Sequence, residues 1–318
     1  MLRSDPMDQR KIGIHYDPVY EEHDTGPHHP ESAHRYQVLR KSLEALPEEF
    51  KRLGRRTAKL EEVLLAHDKA YHDTAKHDIE ALRETLSTGD TNISKDSYKV
   101  ALEATGAMLT AADAIMNGAV DSAYCALRPP GHHALAARGM GFCIFNHIAI
   151  TARYLQQKHG LKKITIIDWD VHHGNGTEAI FISDPTVLYI STHQEDIYPG
   201  TGQAHVRGRG DGLGFNLNLP LPRASDGKHA LKAWDKHITP KIDKFKPDFL
   251  LVSAGYDARK DDPIGGLNWD DETFAQMTKR CVQHANKHCQ GRILSMLEGG
   301  YNPEGLALAS LAHVKALA

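Results

Sequence analysis

The sequence contains no apolar run approaching the roughly 18 residues of a membrane-spanning helix. Its opening, MLRSDPMDQRKIGIHYDPVY, lacks the continuous apolar stretch of a secretory signal. A cytoplasmic protein with no membrane partner is therefore expected. Cysteine is scarce: Cys125, Cys143, Cys281 and Cys289 show neither CxxC pairing nor the density of a disulfide scaffold, which excludes a cysteine-held zinc clip and leaves reduced, mostly buried thiols. The net charge of −3 gives no footprint for nucleic acid. Linkers rich in proline or serine, low-complexity tracts and internal repeats are all missing, so residues 1–318 are expected to form one domain. The Gly-rich stretch from Gly200 to Gly214 does not run from a strand straight into a helix, so it does not read as a phosphate loop.

What is abundant is histidine, 21 residues with the pairs His28-His29, His132-His133 and His172-His173. Apolar residues at helical spacing mark Ser32–Leu46, Lys59–Leu82, Ser97–Met116 and Phe145–His159, and the pattern returns after Gly227, Asp271 and Pro303. Short β-branched runs between them mark strands at Ile12–His15, Ala123–Leu127, Ile164–Ile167, Val187–Ile190, Phe249–Ser253 and Ile293–Leu297. Alternating strands and helices, with strands apolar on both faces, predict an α/β fold with a mostly parallel sheet between helix layers.

Five of these runs end in polar clusters: ALRPPGHH, IIDWDVHHGNG, LYISTHQ, LVSAGYD and SMLEGGY. Ligands of open parallel sheets bind outside the carboxyl ends of the strands, so the five clusters are expected to meet at one site. In Asp168-Trp169-Asp170-Val171-His172, an extended chain puts residues two apart on one side, which pairs Asp170 with His172. One carboxylate and one imidazole suit zinc, bound at about 2.0–2.2 Å, and Asp257 at the end of LVSAGYD supplies a third ligand. A lone D-x-H triplet reads more readily as a turn with ordinary hydrogen bonds; the coincidence of five clusters reverses that preference.

The stiff turn Pro129-Pro130-Gly131 would hold His132 and His133 at the sheet edge, placed to take a proton from a water and return one to a departing amine. Asp168 can hydrogen-bond one ring and Asn175 the other. A carboxylate partner favours imidazolium more than an amide does, so the ring held by Asn175 is expected to stay neutral and act as base. Tyr301 follows two glycines and can lean its hydroxyl toward a developing oxyanion.

The ordered set RPPGHH, GMGFCIFNHIAI, IDWDVHHGNGT, YPGTG, SAGYDA and EGGY resembles the signature of the histone deacetylase and acetylpolyamine amidohydrolase superfamily, from Ile12 almost to the C-terminus. The resemblance implies the three-layer arginase-deacetylase fold, with an eight-stranded sheet between helices. It implies catalytic Zn2+ on Asp170, His172 and Asp257, with His133 as main general base and acid, His132 as its electrostatic partner and Tyr301 on the carbonyl. Asn175, where class I members carry aspartate, makes the chain class II-like. The family also holds a structural K+ on backbone carbonyls, which here fall on Asp168, Asp170, His172, Ser191 and Thr192. The substrate tunnel maps to Gly141, Phe142 and Tyr198, where phenylalanine is common, and Asp90 is placed at the rim.

Polyamine-selective relatives carry an acidic gatekeeper after the proline of the loop that follows the third ligand. Here that loop reads Asp262-Pro263-Ile264, and isoleucine offers no partner for a second ammonium. The expected reaction is therefore hydrolysis of N-acetylated lysine. The alternatives are an acetylpolyamine amidohydrolase, a deacylase for longer acyl groups, an arginase-like binuclear enzyme or a silent acetyl-amine reader, and a homo-oligomer is left open.

Overall fold

The computed structural model describes residues 10–318; the first nine residues of the opening that lacks a secretory-signal pattern lie outside them. The strands are β1 (Ile12–His15), β2 (Phe50–Arg52), β3 (Ser122–Cys125), β4 (Ile164–Asp168), β5 (Val187–Gln194), β6 (Asn216–Leu221), β7 (Phe249–Ala254) and β8 (Ile293–Leu297). They form one eight-stranded sheet in the order β2-β1-β3-β8-β7-β4-β5-β6, and every pairing is parallel. A parallel sheet needs a crossover between neighbours. The helices supply it: α1 (Ala33–Glu44), α2 (Leu60–Val63), α3 (Lys69–Glu80), α4 (Ser97–Met116), α5 (His147–His159), α6 (Asn175–Phe181), α7 (Gly227–Ala233), α8 (Thr239–Phe245), α9 (Asp271–His288) and α10 (Pro303–Leu317). Helices α1, α9 and α10 pack together, as do α4 and α5. Between these groups every residue of β3, β4, β5, β7 and β8 is buried, as strands covered on both faces must be.

Register is what makes a site here. Asp168, the last residue of β4, pairs with Ser191 on one side and Ser253 on the other, Ser253 pairs with Met296, and Met296 pairs with Cys125. The carboxyl ends of the five central strands are therefore level, and the loops leaving them face a common space.

Two strands escape the sequence pattern. β2, Phe-Lys-Arg, is a short edge strand with a largely exposed surface, and β6 carries Pro220 and alternates in burial. Both lie at the rims of the sheet, where proline and charge are tolerated. The predicted helix Lys59–Leu82 is interrupted: α2 ends at Val63, and α3 starts only after Asp68. The segment Gly200–Gly214 leads into β6, not into a helix. All four cysteines are free and buried, and no helix among the described residues is long and apolar enough to cross a membrane.

Candidate active site

The bend after β4 holds the first two ligand candidates. β4 ends at Asp168, so Asp170 and His172 are not paired by strand alternation as the sequence pattern suggested. Asp170 Oδ1 instead accepts the backbone N–H of His172 at 2.9 Å, a local turn that turns the His172 ring back until its Nδ1 lies 3.0 Å from the same oxygen. The backbone N–H of Asp170 is held in turn by Asp168 Oδ1 at 3.1 Å.

Asp257, after β7, arrives from the neighbouring strand. Its Oδ1 accepts the N–H of Val171 at 2.8 Å, and its Oδ2 lies 3.2 Å from His172 Nδ1. Ligand atoms of Asp170, His172 and Asp257 all lie within 4.8 Å of one another, and all three residues are buried. The backbone comes close as well: the N–H of Gly299 donates to Asp170 Oδ2 at 2.7 Å, and a Cβ at that position would overlap the carboxylates of Asp170 and Asp257.

Electrostatically this trio demands a positive charge. Asp257 Oδ2 is buried without a hydrogen-bond partner, an arrangement that costs several kcal/mol per uncompensated ion. Burial, then the nearby Asp170, pushes the Asp257 carboxyl up to about 7. His172, which burial alone would push down, is instead raised to about 10 by its contacts with Asp170 and Asp257. A proton on the ring thus answers the two carboxylates when no other cation does. Two carboxylates and one imidazole converging on an orphaned oxygen form a donor set that fits a zinc ion.

The two histidines before α5 have different partners. His132 Nδ1 lies 3.0 Å from Asp168 Oδ2, which also accepts the Tyr189 hydroxyl at 3.0 Å. His133 Nδ1 lies 2.8 Å from Asn175 Oδ1 at the start of α6, with the Asn175 amide nitrogen turned toward Met140 Sδ. An amide oxygen only accepts, so Nδ1 of His133 carries the hydrogen and Nε2 is left free to take a proton. Burial would lower both rings. For His132 the carboxylates of Asp168, Asp170 and Glu298 outweigh it, and the ring is raised well above its ordinary value. For His133 the neighbouring His132 and His172 reinforce it, and the ring is held well below.

The His133 ring faces a pocket of about 240 Å³ lined also by Asp90, Gly141, Phe142, His172, Tyr198, Ile264 and Tyr301. Every residue predicted for the tunnel and rim lies on this wall. Gly141 and Phe142 both adopt left-handed backbone, and a Cβ on Gly141 would overlap the His133 ring. Asp90 Oδ1 accepts the Gly141 N–H at 2.7 Å, with the Tyr198 hydroxyl at 3.4 Å, so it ties two sides of the mouth together. Ile264 and Tyr198 are each 39% exposed at the rim.

Three buried carboxyl groups missed by the sequence reading support this wall. Glu298 Oε2 accepts the backbone N–H groups of Gly131 and His132 at 2.7 and 3.2 Å, and Ser253 Oγ donates to its Oε1 at 2.8 Å. Asp262 Oδ2 accepts the Tyr301 N–H at 2.6 Å, while its Oδ1 accepts those of Ile264 and Gly265 at 2.9 and 3.1 Å. Glu31 is bridged by Arg128 at 2.8 Å and by Arg35 at 2.9 Å. Arg35 also donates to the Gly300 carbonyl at 3.0 Å, and its guanidinium lies 5.2 Å from the Tyr301 ring centre.

With the geometry in view, residues 29–317 match the family model of the histone deacetylase domain. The chain belongs to the histone deacetylase family. Among histone deacetylase relatives, a probable deacetylase of Archaeoglobus fulgidus is 38% identical over 317 residues, covering 96% of this chain and 86% of that protein. The chloroplastic histone deacetylase 10 of rice, Oryza sativa subsp. japonica, is 40% identical over 298 residues, covering 88% and 67%. The crystal structure of an HDA15 HD domain superposes with a TM-score of 0.89 at 31% identity, over 97% of this chain and 89% of that one. The histone deacetylase fold, an eight-stranded parallel sheet between helices, is thus established by topology and by likeness.

Proposed function

We propose that this chain is a zinc-dependent deacetylase that hydrolyses the amide of N-acetylated lysine side chains in proteins or peptides. The observation that carries the reading is the orphaned Asp257 oxygen, facing His172 and Asp170 beside a narrow pocket that His133 and Tyr301 also line. Membership of a hydrolase family and the printed name of the archaeal relative, a probable deacetylase, point the same way.

Asp170, His172 and Asp257 would hold the zinc, which when bound acts as a Lewis acid and lowers the pKa of water toward neutrality. The free Nε2 of His133 takes a proton from the attacking water as its oxygen bonds to the acyl carbon. The carbonyl oxygen, gaining charge, accepts a hydrogen bond from the Tyr301 hydroxyl, which burial and the nearby Asp257 and Asp170 keep protonated. His133 then returns the proton to the amine nitrogen as the C–N bond breaks, releasing acetate and lysine. His132, charged and anchored on Asp168, places a fixed positive charge beside this exchange. A structural K+ on Asp168, Asp170, His172, Ser191 and Thr192 belongs to the same reading; the pairing of Asp168 with Ser191 puts those two backbone segments side by side.

Lysine is favoured over a polyamine because the two carboxylates next to Ile264 in the loop are already engaged. Asp261 is paired with Arg259, and Asp262 is committed to three backbone N–H groups. Asp90 remains, and its place at the mouth suits the backbone N–H of a peptide substrate. Four free buried thiols fit a reducing compartment such as the cytoplasm, and we take the one sheet with its helices as one catalytic domain.

The test is kcat/KM of the zinc-loaded protein on acetyl-lysine peptides and on N-acetylated polyamines, with a chelator control. A peptide preference abolished by chelator is expected. A polyamine preference would overturn the role given to Ile264, and chelator-resistant activity would overturn the metal assignment.

A further inference from the structure

Away from the pocket, a second set of ligating atoms converges where α8 meets α9. His284 and His288 stand four residues apart on α9, the spacing that puts two imidazoles on one helix face. Asp243 of α8 reaches both of them. His288 Nε2 lies 2.8 Å from Asp243 Oδ1, and His284 Nδ1 lies 3.5 Å from the same oxygen. One ligand atom from each residue lies within 4.8 Å of the others, the same closeness found for Asp170, His172 and Asp257.

The environment of His284 argues for more than a hydrogen-bonded patch. Its Nε2 is 3.3 Å from Thr239 Oγ1 at the start of α8. The Thr239 hydroxyl can donate to Nε2 or accept from it; in the second arrangement Nδ1 presents its lone pair toward the Asp243 carboxylate, where one cation can be bound by both. The two histidine side chains are 7% and 9% exposed, while Asp243 is 32% exposed and leaves the cluster open to solvent on its side. Lys287 Nζ, 2.7 Å from Asp243 Oδ2, is the competing cation, and at 59% exposure it is free to swing away.

We propose that Asp243, His284 and His288 form a second metal site, a clasp between α8 and α9 for a divalent transition ion, with water completing its coordination. Two imidazole nitrogens and one carboxylate suit zinc, cobalt(II) or nickel(II), whereas magnesium and calcium want oxygen. The site is structural: it joins the seven-residue α8 to the eighteen-residue α9. An ion bound only by the folded chain raises the melting temperature.

The experiment is a calorimetric titration of the zinc-loaded full chain with zinc chloride, paired with thermal melting. We expect one equivalent beyond that held in the pocket, with a rise in Tm. Both effects vanish in His288→Gln and in Asp243→Asn, while deacetylase turnover stays within twofold of the parent. Lys287→Met, which removes the competing cation, tightens the added equivalent several-fold. Asp257→Ala removes the pocket equivalent and leaves this one, so failure of the clasp and failure of the active-site reading give different stoichiometries. No second equivalent, or a second equivalent that survives both His288→Gln and Asp243→Asn, overturns the proposal.

Discussion

The trio in the pocket and the trio between α8 and α9 use the same kinds of ligand in reversed proportion, two carboxylates with one imidazole against one carboxylate with two. Their surroundings differ more than their ligands. In the pocket, Asp170 and Asp257 receive backbone N–H groups from His172, Gly299 and Val171, no lysine or arginine among the described residues pairs with either, and the trio is buried. Between the helices, Asp243 already answers a lysine and stands partly in water. Two enclosed carboxylates with only imidazole rings beside them hold a cation tightly and leave room for chemistry. One carboxylate shared between a lysine and two imidazoles holds an ion loosely and can only fasten two helices.

The contrast breaks most sharply at the ligands. Asp257→Ala is expected to remove deacetylase activity together with one equivalent of zinc, read by activity and metal analysis; retained turnover would mean that the enclosed trio is not the reaction centre. Next in size, Tyr301→Phe should cost roughly 10²–10³-fold in kcat and His133→Ala about 10²–10⁴-fold, with far-UV spectra and melting unchanged. Near-parental rates in both would remove them from the mechanism.

The supports around the pocket come next. Glu31→Gln should destabilise the fold by about 3–5 kcal/mol in denaturant titrations, because Arg35 and Arg128 lose the charge that compensates them. Burial alone would raise the Glu31 carboxyl, but the two guanidiniums hold it well below the usual carboxylate range. Its stabilisation is therefore complete above the ordinary value of about 4.3 and is lost as pH falls toward the depressed one. A parent whose stability is flat across that acid range would refute this.

A subtler measurement concerns the partner of His133. Asn175→Asp puts a carboxylate on Nδ1 and raises the ring pKa, so the base becomes protonated at higher pH and the acid limb of kcat/KM moves upward. An unmoved limb would break the link between Asn175 and the base. The smallest effect is expected at the rim, where Ile264→Glu should raise activity on acetylpolyamines relative to peptides by several-fold; an unchanged ratio would show that the mouth does not read the distal amine.

The sequence was most legible where local rules and the global fold agree. Buried β-branched strands, helix periodicity and the polar clusters closing five strands all lie in short stretches, and all but the divided helix of Lys59–Leu82 fall within a few residues of their expected bounds. β2 and β6 were not found, because edge strands carry Lys, Arg, Asn and Pro as readily as loops do. The pairing of Asp170 with His172 was anticipated for the wrong reason: strand alternation was assumed, whereas a side-chain turn achieves it. Glu31, Asp262 and Glu298 gave almost no signal. Each has a partner far along the chain, 97, 39 and 167 residues away, and a lone acid in a polar sequence reads as surface. Glu298 was the most findable, since it sits in the EGGY cluster directly after a fully buried strand.

The Asp262 carboxylate has a consequence for how this protein can change. One of its oxygens fixes the loop that presents residue 264 to the incoming molecule, and the other fixes the peptide that carries Tyr301. On the proposed mechanism, choice of substrate and speed of turnover would both hang on one side chain. A substitution at 264 that shifts the loop drags the tyrosine with it, so altered selectivity should come with slower reaction until a second change nearby restores the alignment.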